Sequence, residues 1–204
     1  MMAEQKTCAW AMNHPLEREY HDSEWGKPVY DDTILFEFMT LEGAQAGLSW
    51  ITILKKRQGY REAFEGYDLK RLAQQGEQRV EEIIAQYDVV KHRGKIASVF
   101  SNARAALALQ EEFGSLSNAL WSFVDHQPIV NQWQSMDEVP AVTEQSKALS
   151  KFLKKRGFKF VGETICYAFM QAVGMVDDHL ISMQIKNSPA EMRGCLMCLS
   201  GRDG

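Results

Sequence analysis

The apolar residues of this chain recur almost everywhere with the period of an α-helix, which constrains the fold more than any other feature. After the capping cluster Asp31-Asp32-Thr33, apolar residues follow at intervals of three and four from Ile34 to Leu41. The same spacing predicts further helices over residues 48–64, 68–75, 77–87, 95–113, 115–124, 143–156 and 163–173. We find no convincing alternating strand. The sequence therefore predicts an all-α fold.

Two segments interrupt this pattern and set the predicted organisation. Residues 126–142 contain Pro128 and Pro140 among polar residues, which predicts a surface connection between two helical lobes. Residues 187–204 show little periodicity and predict a loosely ordered tail after a single helical domain of residues 1–186. A chain of 204 residues can bury a core of this kind without disulfide bonds.

Charge and cysteine content narrow the partners and the compartment. The 23 basic and 27 acidic residues give a formal charge of -4, so any affinity for nucleic acid must come from local clusters. Charged residues break the apolar runs, and the first thirty residues lack the pattern of an export signal. With four scattered cysteines, the chain is predicted to be a reduced, cytoplasmic protein that does not enter membranes.

A glycine-bounded turn joins the last two predicted helices. Gly157 suits the left-handed end of the first helix, and Gly162 allows a close approach of the backbone where the second begins. Backbone N–H groups at this helix start, beside Thr164, can bind a phosphate, and cations such as Lys159 add a sequence-independent attraction. The segment is typical of a DNA-binding helix-hairpin-helix. The alternative is a plain connection with a solvated basic face.

A second basic cluster, Lys91-His92-Arg93-Gly94-Lys95, precedes another predicted helix. Arg93 and Lys95 could hold a further phosphate at that helix start. Runs of this kind are more often solvated loop charge, which is the alternative interpretation.

Aromatic residues crowd the first quarter of the chain, among them Trp10, Tyr20 and Trp50. Most aromatic side chains belong to the core, and that interpretation applies to any one of these. Glu42, however, falls in a stretch that is otherwise apolar and helical. Because aromatic faces attract a cation and a carboxylate accepts hydrogen bonds from its N–H groups, the set predicts a site for a flat, cationic ligand.

Cys8, His21 and His179 are the candidate metal ligands. A thiolate and two imidazoles would supply three ligands of a zinc site. On spacing alone the alternative is that both histidines are satisfied in the core or at the surface.

Several sequence blocks occur together between about residues 7 and 183. They are Cys8-Ala-Trp10, Tyr20-His21-Asp-Ser-Glu-Trp25-Gly26, Leu41-Glu42-Gly-Ala-Gln-Ala-Gly-Leu-Ser-Trp50, His92-Arg-Gly-Lys95, Trp121-Ser-Phe and Lys154-Lys-Arg-Gly-Phe-Lys-Phe-Val-Gly162. In combination these blocks are highly specific. The sequence resembles the bacterial DNA-3-methyladenine glycosylase I family of the helix-hairpin-helix DNA glycosylases.

The resemblance implies an all-helical, monomeric enzyme that removes N3-methyladenine from alkylated double-stranded DNA without cutting the strand. It assigns the base pocket to four residues: Trp10, Tyr20, Glu42 and Trp50. It also implies a structural zinc bound by Cys8, His21 and His179, which ties the two ends of the chain together.

Three positions depart from the family pattern. The family's fourth zinc ligand, a cysteine, falls on Met183, and a thioether is a poor zinc ligand. Cys195, Cys198 or water could fill that position, or the zinc could be weak or absent. Asp177 stands where relatives typically have asparagine, so it could stabilise charge on the sugar or cap the last helix. Glu17 replaces an aromatic residue of the pocket.

Two other function classes remain possible from sequence. One is a helix-hairpin-helix protein that binds alkylated or unstacked DNA but has lost the reaction. The other is a zinc-dependent hydrolase built on His21 and His179, which would need an open coordination position.

Overall fold

The computed structural model describes residues 7–181, and its elements are almost all helical. The α-helices are α1 (Pro15–Ser23), α2 (Asp32–Gln45), α3 (Trp50–Ala63), α4 (Leu69–Gln74), α5 (Val80–Gln86), α6 (Arg93–Phe113), α7 (Leu116–Trp121), α8 (Glu144–Lys155) and α9 (Glu163–Ala172). Short 3₁₀ turns span Ala9–Met12, Glu65–Tyr67, Glu77–Arg79, Ser122–Val124 and Met136–Glu138. A two-residue parallel pair joins β1 (Ile129–Val130) to β2 (Val176–Asp177).

The all-α prediction is confirmed, and every helix expected after residue 31 is present. Two elements differ from the expectation. Helix α1 was not predicted, because it is largely polar and begins with Pro15 behind the cap His14, which accepts a hydrogen bond from Leu16 N–H. The β1–β2 pair is too short to show any alternation in the sequence. Met183 and the predicted tail, residues 187–204, lie outside the described residues.

Helix α2 occupies the centre of the molecule. Every residue from Leu35 to Ala44 is buried, because α2 packs against α3, α6, α7 and α9. Its N-terminus is held by Asp31, whose side chain accepts from Ile34 N–H, and by Asp32, which accepts from the N–H groups of Leu116 and Ser117 at the start of α7. A polar side chain on α2 is therefore carried into the interior, which is the situation of Glu42.

The predicted hairpin joins α8 to α9 through a well-defined helix end. Gly157 has a φ of 88°, and its N–H donates to the Lys154 carbonyl while Phe158 N–H donates to the Leu153 carbonyl. This is the Schellman arrangement, with buried Phe158 next to buried Leu153. Ser150 Oγ then donates to the Val161 carbonyl at 2.6 Å. The hairpin is thus fixed before α9 begins.

The two ends of the described chain meet beside α9. Val29 N–H donates to the Val173 carbonyl, and Gly174 lies so close to residues 27–28 that a Cβ there would stand 2.3 Å from the Lys27 carbonyl carbon. Only glycine fits, and its φ of 68° also requires glycine. The segment after α9 is therefore held next to α1. Among residues 7–181, no helix is both long and apolar enough to cross a membrane.

Candidate active site

Glu42 is the central side chain of the site. It lies in the last turns of α2 with only 4% of its surface exposed. Desolvation raises the pKa of its carboxyl to about 8, and no charge or hydrogen bond of the described residues offsets this loss of water. A buried carboxyl whose pKa is perturbed in this way is typical of a functional site rather than of a core.

Tyr20 and Trp50 contribute two neighbouring aromatic rings to the site. Their ring centroids are 5.2 Å apart, and Trp10 lies 6.3 Å from Tyr20 on the other side. Burial first and then the charge of Glu42 raise the pKa of Tyr20, which places the two side chains within electrostatic range. The Tyr20 hydroxyl and Trp50 Nε1 are buried, and neither has a hydrogen-bond partner among the described residues.

These side chains come from four separate elements that the fold brings together. Trp10 is on the first 3₁₀ turn, Tyr20 on α1, Glu42 on α2 and Trp50 at the first position of α3. Buried polar atoms without partners are rare and call for an explanation. A flat molecule carrying hydrogen-bonding groups would satisfy them, and a positively charged one would suit the Glu42 carboxylate.

A network of ion pairs that was not predicted from the sequence connects the helices that carry the site. Arg57 of α3 donates to both carboxylate oxygens of Glu24 at 2.7 and 2.8 Å and to Glu37 of α2 at 2.6 Å. Its guanidinium also lies 5.2 Å from the ring centroid of Phe38, which in turn contacts Tyr20. The network links the end of α1 to α2 and α3, so it fixes the relative positions of Tyr20, Glu42 and Trp50.

The predicted metal ligands lie close to one another without completing a site. The rings of His21 and His179 are 5.2 Å apart, and a hydrogen bond from the Leu180 backbone places Cys8 beside them. Each histidine pairs its Nδ1 with a carboxylate: His21 with Asp22 at 2.9 Å and His179 with Asp177 at 2.7 Å.

A carboxylate on Nδ1 is the usual arrangement of zinc-binding histidines, which then bind the metal through Nε2. His21 Nε2 is buried and has no hydrogen-bond partner in the described part of the chain. The donor types therefore suit zinc. Within residues 7–181, however, no three His, Cys, Asp or Glu side chains are grouped so as to hold a metal ion. Zinc remains a prediction.

Asp177 and its neighbour Asp178 have different surroundings. Asp177 Oδ1 accepts from both the backbone N–H and the ring Nδ1 of His179, at 3.0 and 2.7 Å. Burial opposes its ionisation, but these bonds outweigh that effect and lower the pKa of Asp177.

Asp178 is almost fully buried and accepts four hydrogen bonds. The donors are Asn131, Trp133, Tyr167 and Gln171, at distances of 2.7, 2.7, 2.5 and 2.7 Å. It fastens the segment 131–133 to α9 and so fixes the residues on either side of it. No local sequence pattern predicts this role, because two of the donors are more than 40 residues away from Asp178 in the sequence.

The two predicted DNA-binding segments form one continuous surface. Phe160, in the hairpin turn, packs edge-on against His92 at 6.0 Å, so the turn adjoins the N-terminus of α6. Lys159 and Thr164 are exposed on the hairpin, and the Arg93 side chain, paired with Glu81, is 71% exposed. Gly162 is the N-cap of α9 and provides no side-chain cap.

Lys95 is placed differently from the expectation. Its Nζ donates to the carbonyls of Ala44 and Ala46 at 2.8 and 2.7 Å, so the ammonium caps the end of α2 instead of projecting towards a phosphate. Burial lowers its pKa. Helix α2 ends in carbonyls that need donors, and Lys95 supplies them from 49 residues away.

Comparison with known proteins gives consistent matches over most of the chain. A model of the methyladenine glycosylase family matches residues 10–186. DNA-3-methyladenine glycosylase of Haemophilus influenzae is 49% identical over 181 residues, 89% of this chain and 98% of that protein. DNA-3-methyladenine glycosylase 1 of Escherichia coli is 50% identical over 174 residues, 85% of this chain and 93% of that protein.

Solved structures agree with the sequence matches. One of them is a variant of 3-methyladenine DNA glycosylase I crystallised in complex with 3-methyladenine. It matches with a TM-score of 0.83 at 35% identity and covers 90% of this chain and 96% of that one.

Proposed function

The chain belongs to the methyladenine glycosylase family, and from this premise we propose how its buried site excises 3-methyladenine from DNA. The family resemblance of the sequence blocks is confirmed. The protein is a DNA-3-methyladenine glycosylase, an enzyme of base-excision repair. A DNA-binding protein without activity and a zinc hydrolase, the two alternatives from sequence, are therefore set aside. We assign the steps of the reaction to particular residues of this chain.

The observation that carries the proposal is the buried Glu42 carboxyl within electrostatic range of Tyr20, whose hydroxyl, like Nε1 of the adjacent Trp50, has no hydrogen-bond partner among the described residues. Methylation at N3 gives adenine a positive charge, so the damaged base is already a good leaving group. Glu42 accepts hydrogen bonds from its N–H groups, and the attraction between the two charges lowers the pKa of the carboxyl when the base enters. A charged acceptor contributes roughly 1.5–3 kcal/mol per bond.

Trp50 and a neighbouring aromatic ring stack on the extruded base. Stacking of this kind contributes about 1–3 kcal/mol. Neutral adenine can stack as well, but it lacks the charge that compensates the desolvated carboxylate. The site therefore selects the methylated base by charge, and the aromatic rings hold whichever base enters.

The hairpin and the start of α6 hold the DNA while the nucleotide leaves the stack, which costs a few kcal/mol. In this proposal Gly162 and Thr164 present backbone N–H groups to a phosphate, and Lys159 and Arg93 attract the backbone electrostatically. The partner is alkylated double-stranded DNA. We propose that the protein acts as a monomer, and in the reducing cytoplasm, where buried thiols such as Cys166 persist.

Water attacks the sugar carbon as the bond to the base breaks, the base leaves as neutral 3-methyladenine, and the proton of the water passes to solvent. No lysine is among the buried charged residues of the described chain, so none is assigned as a nucleophile. The reaction then forms no covalent intermediate and leaves the strand intact. Asp177 orients His179 through its two hydrogen bonds, and we assign it this positioning role in preference to a catalytic one at the sugar. Zinc held by Cys8, His21 and His179 is a further proposal, supported by the carboxylate-paired imidazoles.

Replacement of Glu42 by glutamine tests the proposal. Glu42→Gln keeps the shape and one acceptor but loses the charge, so kcat/KM for release of 3-methyladenine from methylated DNA should fall at least tens-fold. Glu62→Gln, an exposed carboxylate on α3, is the matched control and should behave as wild type. Full excision by Glu42→Gln would refute the assigned role of Glu42.

A further inference from the structure

Asn102 is a buried amide in the middle of α6 that the mechanism above does not use. Only 5% of its surface is exposed. Asparagine is a poor helix former, and an amide costs free energy to bury unless it is hydrogen-bonded. Its place in a 21-residue helix therefore depends on what its side chain binds.

The side chain binds the backbone of one residue in the hairpin turn. Asn102 Nδ2 donates to the Lys159 carbonyl at 3.0 Å, and Lys159 N–H donates to Asn102 Oδ1 at 2.9 Å. An amide that pairs with both groups of one residue mimics the pairing of a neighbouring strand. It satisfies that residue's backbone from 57 positions away and fixes its orientation.

The turn needs such a restraint because its backbone is not relaxed. Phe160, next to Lys159, has a φ of 57°, which lies in a backbone region that residues other than glycine rarely adopt. Gly157, two residues before Lys159, has a φ of 88°. Conformations of this kind persist only when their surroundings hold them.

The restrained turn lies between the two functional surfaces. On one side it leads into the N-terminus of α9, where Gly162 leaves the first N–H groups without a side-chain cap. On the other side it rests on α2. A Cβ built on Gly43 would be 3.2 Å from both Cβ and the carbonyl oxygen of Phe160, and Gly43 is the neighbour of Glu42.

We propose that Asn102 is a positioning residue for DNA binding, which holds the hairpin turn at Lys159 in the shape that receives the phosphate backbone. It acts through Lys159 and touches neither the base nor the reacting bond. The inference rests on the proposed role of the hairpin in holding DNA. It adds a residue on α6 that no sequence pattern of the hairpin includes.

Asn102→Asp is the most specific test because it changes only the side-chain amide nitrogen. It replaces the Nδ2 donor by an oxygen that faces the Lys159 carbonyl, and Asn102→Ser is a milder second variant. Gln110→Ala is the control, since Gln110 lies on the same helix and its Nε2 donates to Asp32 at 2.7 Å, away from the hairpin. Thermal unfolding of every variant fixes a temperature at which all are folded.

Four quantities separate positioning from general stability. We expect the Kd for a fluorescent duplex containing an abasic-site analogue, and the KM for methylated DNA, to rise at least tenfold in Asn102→Asp. We expect kcat to change less than threefold. The affinity for free 3-methyladenine, followed by tryptophan fluorescence, should stay within twofold of wild type. Gln110→Ala should leave all four unchanged.

Duplex affinity equal to wild type in folded Asn102→Asp and Asn102→Ser would overturn the inference. Equal losses of kcat and free-base affinity would overturn it too, because Asn102 would then support the whole active site. Lys159→Ala separates the two proposals. If it weakens duplex binding while the Asn102 variants do not, only the role of Asn102 fails. If Lys159→Ala and both Asn102 variants bind as wild type, the hairpin proposal fails as well.

Discussion

Glu42 makes the pH dependence of stability a direct probe of the site. Its pKa of about 8 in the folded protein lies above the usual value of 4.5. Between these two values the folded state holds a proton that the unfolded state has lost, so the contribution of Glu42 to stability is present below pH 4.5 and falls as pH rises to 8. At about 1.36 kcal/mol per unit of pKa, the total loss is roughly 5 kcal/mol.

The test compares the urea denaturation of Glu42→Gln with that of wild type at a series of pH values. The free energy of unfolding of Glu42→Gln, measured in urea from pH 5 to pH 8.5, should gain on that of wild type as pH rises. Glu62→Gln should track wild type. A constant difference between Glu42→Gln and wild type across this range would mean that the carboxyl is ionised in the folded protein at pH 5.

The kcat/KM for excision should rise towards pH 8, because the ionised carboxyl binds the cation.

Asp177 can be tested by a change that keeps its hydrogen bonds. In Asp177→Asn the side-chain Oδ1 would still accept from the N–H groups of His179, so the free energy of unfolding should change by less than about 1 kcal/mol. Turnover on methylated DNA should stay within about threefold of wild type. A large loss of kcat with unchanged stability would instead place the carboxylate at the sugar.

Single residues differ in how far the sequence predicts their surroundings. The buried position of Glu42 was predictable, because a carboxylate in an apolar helical stretch breaks the local pattern. The contacts of Asn102 and Asp178 were not, because Asn102 binds a residue 57 positions away, two donors to Asp178 lie more than 40 positions away, and each looks locally like an ordinary polar residue. Lys95 was misplaced for the same reason: the carbonyls that it caps belong to another helix.

At the scale of elements, the two glycines of the hairpin have separable roles. Gly157 has open space around it but a φ of 88°, so Gly157→Ala should lower the free energy of unfolding by about 1 kcal/mol through backbone strain alone. Gly162 is an N-cap without a left-handed φ, and Gly162→Ser should stabilise α9 by a few tenths of a kcal/mol because serine caps helices well.

In Gly162→Ser, DNA affinity and stability should change in opposite directions. In Gly162→Ser the hydroxyl occupies N–H groups that a phosphate would otherwise bind, so duplex affinity should fall while stability is kept. Urea denaturation and fluorescence anisotropy on the same preparations give both quantities. Wild-type affinity in Gly162→Ser would argue against phosphate binding at the start of α9.

Elements were predictable where apolar residues recur with the helical period. Helices α2 to α9 meet this condition, and the glycine pair indicated the hairpin between α8 and α9. Helix α1 is mostly polar, so its pattern did not resemble a core-facing helix. The β1–β2 pair depends on contact between distant segments and has no local signature.

For the molecule as a whole, the proposed zinc would join the two ends of the described chain. Purified protein should then contain close to one zinc per chain, measured by plasma mass spectrometry. Chelation should lower the melting temperature, since a ligand that binds only the folded state stabilises it. Cys8→Ser should reduce the zinc content, whereas Cys166→Ser, which changes the second buried thiol of residues 7–181, should not. A preparation that contains no zinc, and whose melting temperature does not change when chelator is added, would contradict the zinc proposal.

The central claim is that the whole molecule selects and releases one methylated base. The most direct measurement incubates purified protein with DNA treated with a methylating agent and separates the released bases by chromatography. The account predicts 3-methyladenine with little or no 7-methylguanine, because 7-methylguanine is also cationic but presents an acceptor carbonyl where adenine presents the amino N–H groups that Glu42 is proposed to accept from. No release from a folded, DNA-binding preparation, or equal release of both bases, would contradict it.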